Sequence, residues 1–185
     1  MQILIITAIS FLIGSIPFAI VISKLAGLGD ITKFGSGNPG ATNMVRFGGK
    51  KLAAATLILD ALKGALAVWI ASQFGLPALA FVAVIFGHCF SIFLKFKGGK
   101  GVATTFGALL VLNWVAGLAA LGIWLCTFLI FRISSVAALT SINLMVIISG
   151  IFWYEEFFWE MLAIAVLVTI RHHSNIRKLI KGEEK

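Results

Sequence analysis

Apolar stretches of membrane-spanning length recur along the chain, near residues 3–23, 52–73, 77–94, 115–131, 134–151 and 157–170, with short polar segments between them. A helix crossing the ~30 Å hydrocarbon core needs about 20 apolar residues, so each stretch predicts a transmembrane helix. The stretch 102–131 needs a closer look. As one helix it would be about 45 Å long at roughly 1.5 Å per residue, too long to span without extreme tilt. Asn113 and Trp114 interrupt it with a polar and an interfacial residue. They divide it into a short helix near 101–112 and a full one near 115–131.

The placement of charge tests that division, because Lys and Arg collect on the cytoplasmic side of membrane proteins. With seven spans and the N-terminus outside, the cytoplasmic segments are 24–51, 95–100, Arg132 and 171–185. They hold every basic residue except Lys63. The outer segments near 74–76 and 113–114 are uncharged, and 152–160 carries Glu155, Glu156 and Glu160. A single span over 102–131 would put Arg132 and the basic C-terminal segment outside. The expected architecture is an all-α membrane protein of seven transmembrane helices, the fourth one short. Its N-terminus lies outside and its C-terminus is cytoplasmic, and residues 1–185 form one integral-membrane domain. No internal repeat is visible, which weakens an inverted-repeat transporter.

Of the 185 residues 60% are hydrophobic and 12% charged, and the mean hydropathy is +1.06. That composition excludes an ordinary soluble domain. The net charge of +8 does not point to nucleic acid, because it is tied to the flanks of membrane-length segments. Anionic metabolites and lipid headgroups are the partners it predicts. The first apolar run has no positive region before it and reads as a retained span. Cys89 and Cys126 lie inside apolar runs without zinc or disulfide spacing, so they read as packing residues and no metal site is expected.

Three polar clusters carry candidate chemistry. The segment Gly35-Ser36-Gly37-Asn38-Pro39-Gly40-Ala41-Thr42-Asn43-Met44-Val45-Arg46 packs glycines, hydrogen-bonding side chains and an arginine together. Glycines let backbone N–H groups approach an oxyanion, so this is either a phosphate cradle or simply a flexible loop. Lys97-Gly98-Gly99-Lys100-Gly101 leads into the short fourth helix, which joins Gly-rich backbone donors, two lysines and a helix N-terminus at one spot. The spacing is not that of a Walker A loop. A positive-inside stop signal would explain its lysines but not its interleaved glycines. At the end of the last span come Arg171, His172, His173, Asn175, Arg177 and Lys178. If the helix continues, His172 and Asn175 share a face with Arg171 nearby, and His172 can donate to a phosphate or shuttle a proton. A basic end facing lipid headgroups accounts for Arg177 and Lys178, and less well for His172 and Asn175.

Inside the spans, Asp60 and Lys63 sit at i, i+3 and allow an internal ion pair, structural or holding the site. His88 is either a hydrogen-bonded supporting residue or a base. Ser134 and Ser135 either cap the sixth span or face the site.

The clusters GSGNPGATNMVR, GHCFSIFLKFKGGKGVAT and RHHSNIRKLIKGEE, in that order and on one face, together with LDALKG at 59–64 and RISSVAALTS at 132–141, resemble the bacterial acyl-phosphate:glycerol-3-phosphate acyltransferase family, PlsY. The similarity runs over nearly the whole chain. It implies a seven-span enzyme of the bacterial cytoplasmic membrane, with its active site facing the cytoplasm. Such an enzyme moves a fatty acyl group from acyl phosphate to the 1-hydroxyl of glycerol 3-phosphate. The product is lysophosphatidic acid, and no cofactor is needed because acyl phosphate is already activated. Contact with the enzyme that forms acyl phosphate is a further expectation.

By match to the family motifs, Ser36, Gly37, Asn38, Gly40, Thr42, Asn43 and Lys100 hold the acyl phosphate. Arg46, Lys97, Lys100, Ser135, His172 and Asn175 grip glycerol 3-phosphate, and Lys100, Ser36, Asn38 and His172 carry the catalysis. Asp60, Lys63 and His88 support the site. Ser174 departs from the family's pattern, in which a charged residue is common there. No carboxylate stands in the segments 35–46, 97–101 and 171–178, so a substrate phosphate oxygen is the expected proton acceptor, in preference to His172 or His88. The rival classes are a transporter of a phosphorylated metabolite and a noncatalytic lipid-binding subunit.

Overall fold

The structure, a computed structural model, describes residues 1–184. Lys185, counted above with the basic C-terminal segment, lies outside the described residues. Among the described residues all regular structure is helical: α1 (Gln2–Ser15), α2 (Phe18–Leu25), α3 (Ala41–Ser72), α4 (Pro77–Cys89), α5 (Val102–Leu112), α6 (Trp114–Phe131), α7 (Ser134–Phe152), α8 (Tyr154–Arg171) and α9 (His173–Ile180). Five segments are long and apolar enough to cross a membrane: Gln2–Leu25, Ala41–Ser72, Pro77–Leu94, Trp114–Phe131 and Ser134–Phe152. Helix α5 is apolar but has only 11 residues. Helix α8 has 18 residues and carries Glu155, Glu156, Glu160 and Arg171.

The stretch 102–131 is two helices. Asn113 leaves helical geometry (φ −153°, ψ 107°) and its side chain accepts from the Ala116 N–H at 3.0 Å, capping α6. The first apolar run is broken too, where a continuous span over 3–23 was expected. Pro17 has no N–H to donate and pushes Ile16 out of the helical region, to ψ 116°. The carbonyls this frees are answered from elsewhere: Lys63 Nζ donates to Ile16 O at 2.7 Å, and Ser91 Oγ to Ser15 O at 2.5 Å.

Helix α3 also begins earlier than its apolar run, at Ala41, and breaks at Gly49 (φ 83°). Thr42, Asn43 and Arg46 therefore stand on a helical segment rather than in a loop.

Close helix crossings fix this arrangement. A Cβ on Gly64 would run into the Thr104 carbonyl and one on Gly107 into that of Ala61, so α3 and α5 meet backbone to backbone. Around them Phe81, Ile85, Leu109, Ile142, Met145 and Ile164 form a core shared by α4, α5, α7 and α8. Large apolar side chains such as Leu4, Trp69, Ile130 and Ile151 remain exposed on the outer faces, where a bilayer would cover them.

Candidate active site

Between α4 and α5 the chain makes a tight turn, entered through a 3₁₀ turn at Ile92–Leu94 and two left-handed residues, Lys95 (φ 50°) and Phe96 (φ 64°). The Gly98 N–H donates to Cys89 O at 3.1 Å and the Gly99 N–H to His88 O at 3.0 Å. From the other side, Arg171 Nε donates to Gly99 O at 3.0 Å and Nη2 to Gly98 O at 2.6 Å. The guanidinium lies 5.7 Å from the centroid of the Phe90 ring.

These contacts correct the expected use of the glycines. Their N–H groups are spent on the last carbonyls of α4 and are not free to cradle a phosphate. Glycine is required because a Cβ at 98 would strike the His88 carbonyl and one at 99 the His88 ring. What the turn offers an anion is Lys100 and the N-terminal end of α5.

Lys100 is the centre of a polar cluster. Its Nζ donates to Asn175 Oδ1, Asn175 Nδ2 donates to Glu184 Oε1, and Ser135 Oγ donates to the same carboxylate oxygen at 2.9 Å. Burial pushes Lys100 down to about 8, against Glu184, which raises it; Arg171 and Lys178 lower it further.

His172 closes the cluster. It is buried, with Nδ1 2.8 Å from Val168 O. A carbonyl only accepts, so Nδ1 carries the proton and Nε2 presents a lone pair. Burial first, then the Lys100 charge, push this histidine down to about 4, so it is neutral near pH 7. The expectation that His172 donates to a phosphate is corrected: it offers an acceptor. The helix does not run on through it, since α8 ends at Arg171 and α9 starts at His173, yet His172 and Asn175 both come to Lys100.

The expectation of no carboxylate is corrected as well. Gly182 (φ 69°) turns the chain past α9 and returns Glu184 to the cluster. The signal was present in the closing Gly-Glu-Glu of RHHSNIRKLIKGEE. Arg171, noted only as a neighbour, braces the turn that carries Lys100.

The first cluster folds around Asn43. Its Nδ2 donates to Ile31 O at 3.2 Å and Phe34 O at 3.0 Å, and its Oδ1 accepts from the Ser36 N–H at 3.3 Å. Both amide donors are consumed, so Asn43 cannot donate to an acyl phosphate as expected; it clasps the loop instead. Gly35 and Gly37 take left-handed geometry there (φ 57° and 70°). Ser36 is exposed and its Oγ lies 3.4 Å from the Asn38 N–H. The Thr42 and Ser134 hydroxyls lie 3.3 Å apart, tying this region to the start of α7. Neither Ser134 nor Ser135 caps α7. Gly40 is the extended residue that precedes α3, and Arg46 and Lys97 are exposed.

Asp60 and Lys63 pair as the spacing predicts, at 2.7 Å, and His88 Nδ1 stands 3.6 Å from the same Asp60 oxygen. All three are buried. A cavity of about 10 Å³ beside them is lined by Pro39 and Gly99 as well as Asp60, Lys63, His88 and Ser91. Both polar loops thus rest on one buried charged group.

A helical membrane protein that gathers lysine, arginine, histidine, asparagine and serine at one polar end is the class these features define. The chain matches the glycerol-3-phosphate acyltransferase family over residues 4–182 and belongs to it. It is 48% identical to the glycerol-3-phosphate acyltransferase of Gluconobacter oxydans (strain 621H), over 99% of this chain and 92% of the relative. To that of Burkholderia pseudomallei (strain K96243) it is 47% identical, over 100% and 95%. Crystal structures of PlsY, an integral membrane glycerol 3-phosphate acyltransferase, match in fold. The glycerol 3-phosphate form gives a TM-score of 0.94 at 34% identity and the lysophosphatidic acid form 0.91 at 33%, each over 100% of this chain and 95% of that one.

Proposed function

We propose that this chain transfers a fatty acyl group from acyl phosphate to the 1-hydroxyl of glycerol 3-phosphate, giving lysophosphatidic acid and phosphate. The observation that carries the reading is the cluster of Lys100, Ser135, His172 and Asn175 where α5 and α7 begin and α8 gives way to α9, in a chain of this family. Family membership also favours a transferase over a transporter.

Lys100, Arg46, Lys97 and the second N–H of Asn175 grip the acceptor's phosphate, while Ser135, whose one O–H donates to Glu184, holds that carboxylate in place. Ser36, Gly37, Asn38, Gly40 and Thr42, with Lys100, hold the acyl phosphate. His172 Nε2 accepts the hydrogen bond of the glycerol hydroxyl and aims its oxygen. That oxygen attacks the acyl carbon, the bond from carbon to the phosphate oxygen breaks, and a phosphate oxygen takes the hydroxyl proton. A histidine held near 4 is too weak a base to compete for that proton. Alignment and the Lys100 charge supply most of the acceleration, because phosphate leaves readily.

Purified protein in detergent tests the donor. Acyl phosphate with glycerol 3-phosphate should yield lysophosphatidic acid, and acyl-CoA should not replace acyl phosphate. Robust transfer from acyl-CoA alone would sink the donor assignment.

In this reading the chain is one domain with seven spans, α1–α2 together forming the first. The N-terminus lies outside, and the site faces the cytoplasm of a bacterial inner membrane, where it can meet the enzyme that forms acyl phosphate. Cysteine placed at Asn113, in a chain lacking Cys89 and Cys126, should react with an impermeant reagent from outside the cell. Labelling from the cytoplasmic side alone would overturn this topology.

A further inference from the structure

Past α9 the Glu184 side chain returns to the acceptor cluster, and one of its oxygens, Oε1, takes hydrogen bonds from Ser135 at the start of α7 and Asn175 on α9. An asparagine amide has a donor end and an acceptor end, and only its partners decide which faces which way. A carboxylate accepts and does not donate at neutral pH, so it must face Nδ2. The Oδ1 end is thereby turned to Lys100, whose Nζ donates to it. Without Glu184 the ammonium still draws Oδ1, but the Asn175 amide loses the second anchor that fixes its plane and the Ser135 hydroxyl loses the partner that fixes its rotation.

We propose that Glu184 is a positioning residue for acyl transfer: it sets the Asn175 amide and the Ser135 hydroxyl and, through Asn175, holds the Lys100 ammonium where the acceptor's phosphate binds. The inference rests on the reading of the site given under the proposed function.

The charge environment of Lys100 supplies a readout beyond rate. The groups that face it are Arg171 at the end of α8, the neutral His172, Lys178 on α9, and Glu184. Burial, Arg171 and Lys178 all disfavour its charge, and Glu184 favours it. Taking away the Glu184 charge therefore lets Lys100 deprotonate at lower pH, and the alkaline limb of the activity profile moves down.

The test measures kcat and KM for glycerol 3-phosphate, with acyl phosphate as donor, from pH 5.5 to 9.5 for full-length wild type, Glu184→Gln and Glu184→Ala. Rates are expressed per monodisperse protein after gel filtration. Glu184→Gln keeps an accepting oxygen, so it should stay within several-fold of wild type near pH 6.5, with the alkaline limb displaced downward. Glu184→Ala loses the acceptor as well and should fall about tenfold or more in kcat/KM, chiefly through KM, with partial rescue by formate.

An unmoved alkaline limb in Glu184→Gln overturns the proposal, and that variant decides the matter if the alanine form does not fold. A collapse of kcat in Glu184→Gln as deep as in Glu184→Ala overturns it in favour of a proton acceptor. A lower KM in Glu184→Ala overturns it in favour of a tail that competes with the phosphate. Wild type that makes no lysophosphatidic acid from these substrates would instead defeat the functional reading beneath it.

Discussion

Lys100→Ala lowers kcat/KM by about one to two decades, and by more if the ammonium touches both substrates, whereas Lys95→Ala stays near wild type. A hydrogen bond to a charged group contributes about 1.5–3 kcal/mol, which sets that scale. Lys100 is half-buried and engaged with Asn175 at the N-terminal end of α5. Lys95 is exposed in the same turn and is expected to act only as a positive charge at the membrane surface. The pair thus separates site chemistry from mere positive charge.

The pH profile adds a second measurement. Lysine is charged below its pKa, and that of Lys100 lies at about 8. The contact is therefore present at neutral pH and fades as pH rises through that value, so kcat/KM falls on the alkaline side. Lys100→Arg keeps its charge throughout and should lose the limb even where its rate is lower. Equal, mild losses in Lys100→Ala and Lys95→Ala would make the turn a topology signal and not a phosphate site.

Breaking the buried ion pair should have the largest effect on stability. Removing one partner of a buried pair strands the other, at a cost of about 3–5 kcal/mol. Asp60→Leu leaves the Lys63 ammonium with the Ile16 carbonyl and the Phe18 ring but without its carboxylate, and Lys63→Met leaves Asp60 beside His88 without its ammonium. Each single variant should melt well below wild type in detergent. The double variant should melt above the level that adding the two losses predicts, because no buried charge is then stranded. It will not recover fully, since the Ile16 carbonyl stays open. Thermal unfolding of all four proteins under one detergent condition checks this; strictly additive losses would show that the pair is not coupled.

Five of the apolar spans and the separation of α5 from α6 were legible because both depend on local features: apolar length and the Asn113 cap. Lys100, His172, Asn175 and Ser135 were legible as site candidates because polar residues at membrane ends stand out against an apolar background. Composition could list donors but not say where they are spent. Asn43 and the Gly98 and Gly99 amides look available in sequence, yet each is consumed by a carbonyl that only the fold brings near. Glu184 depended on a left-handed turn at Gly182 and on the path of α9, neither of which periodicity encodes. Pro17 stands in plain view in the sequence, but hydropathy runs unbroken across it, and the partners of the carbonyls it frees, Lys63 and Ser91, are distant in the chain.

The break after α1 bears on how the protein is assembled. Chains emerge in order from the N-terminus, and the Ile16 carbonyl waits for an ammonium 47 residues later while the Ser15 carbonyl waits for a hydroxyl 76 residues later. An unanswered carbonyl in hydrocarbon costs several kcal/mol. The first segment is thus apolar enough to enter the bilayer but cannot settle there alone. Biogenesis becomes a relay, in which Lys63 secures the first segment as α3 inserts and Ser91 locks it after α4. A nascent fragment halted before residue 63 should be the form that quality-control proteases recognise.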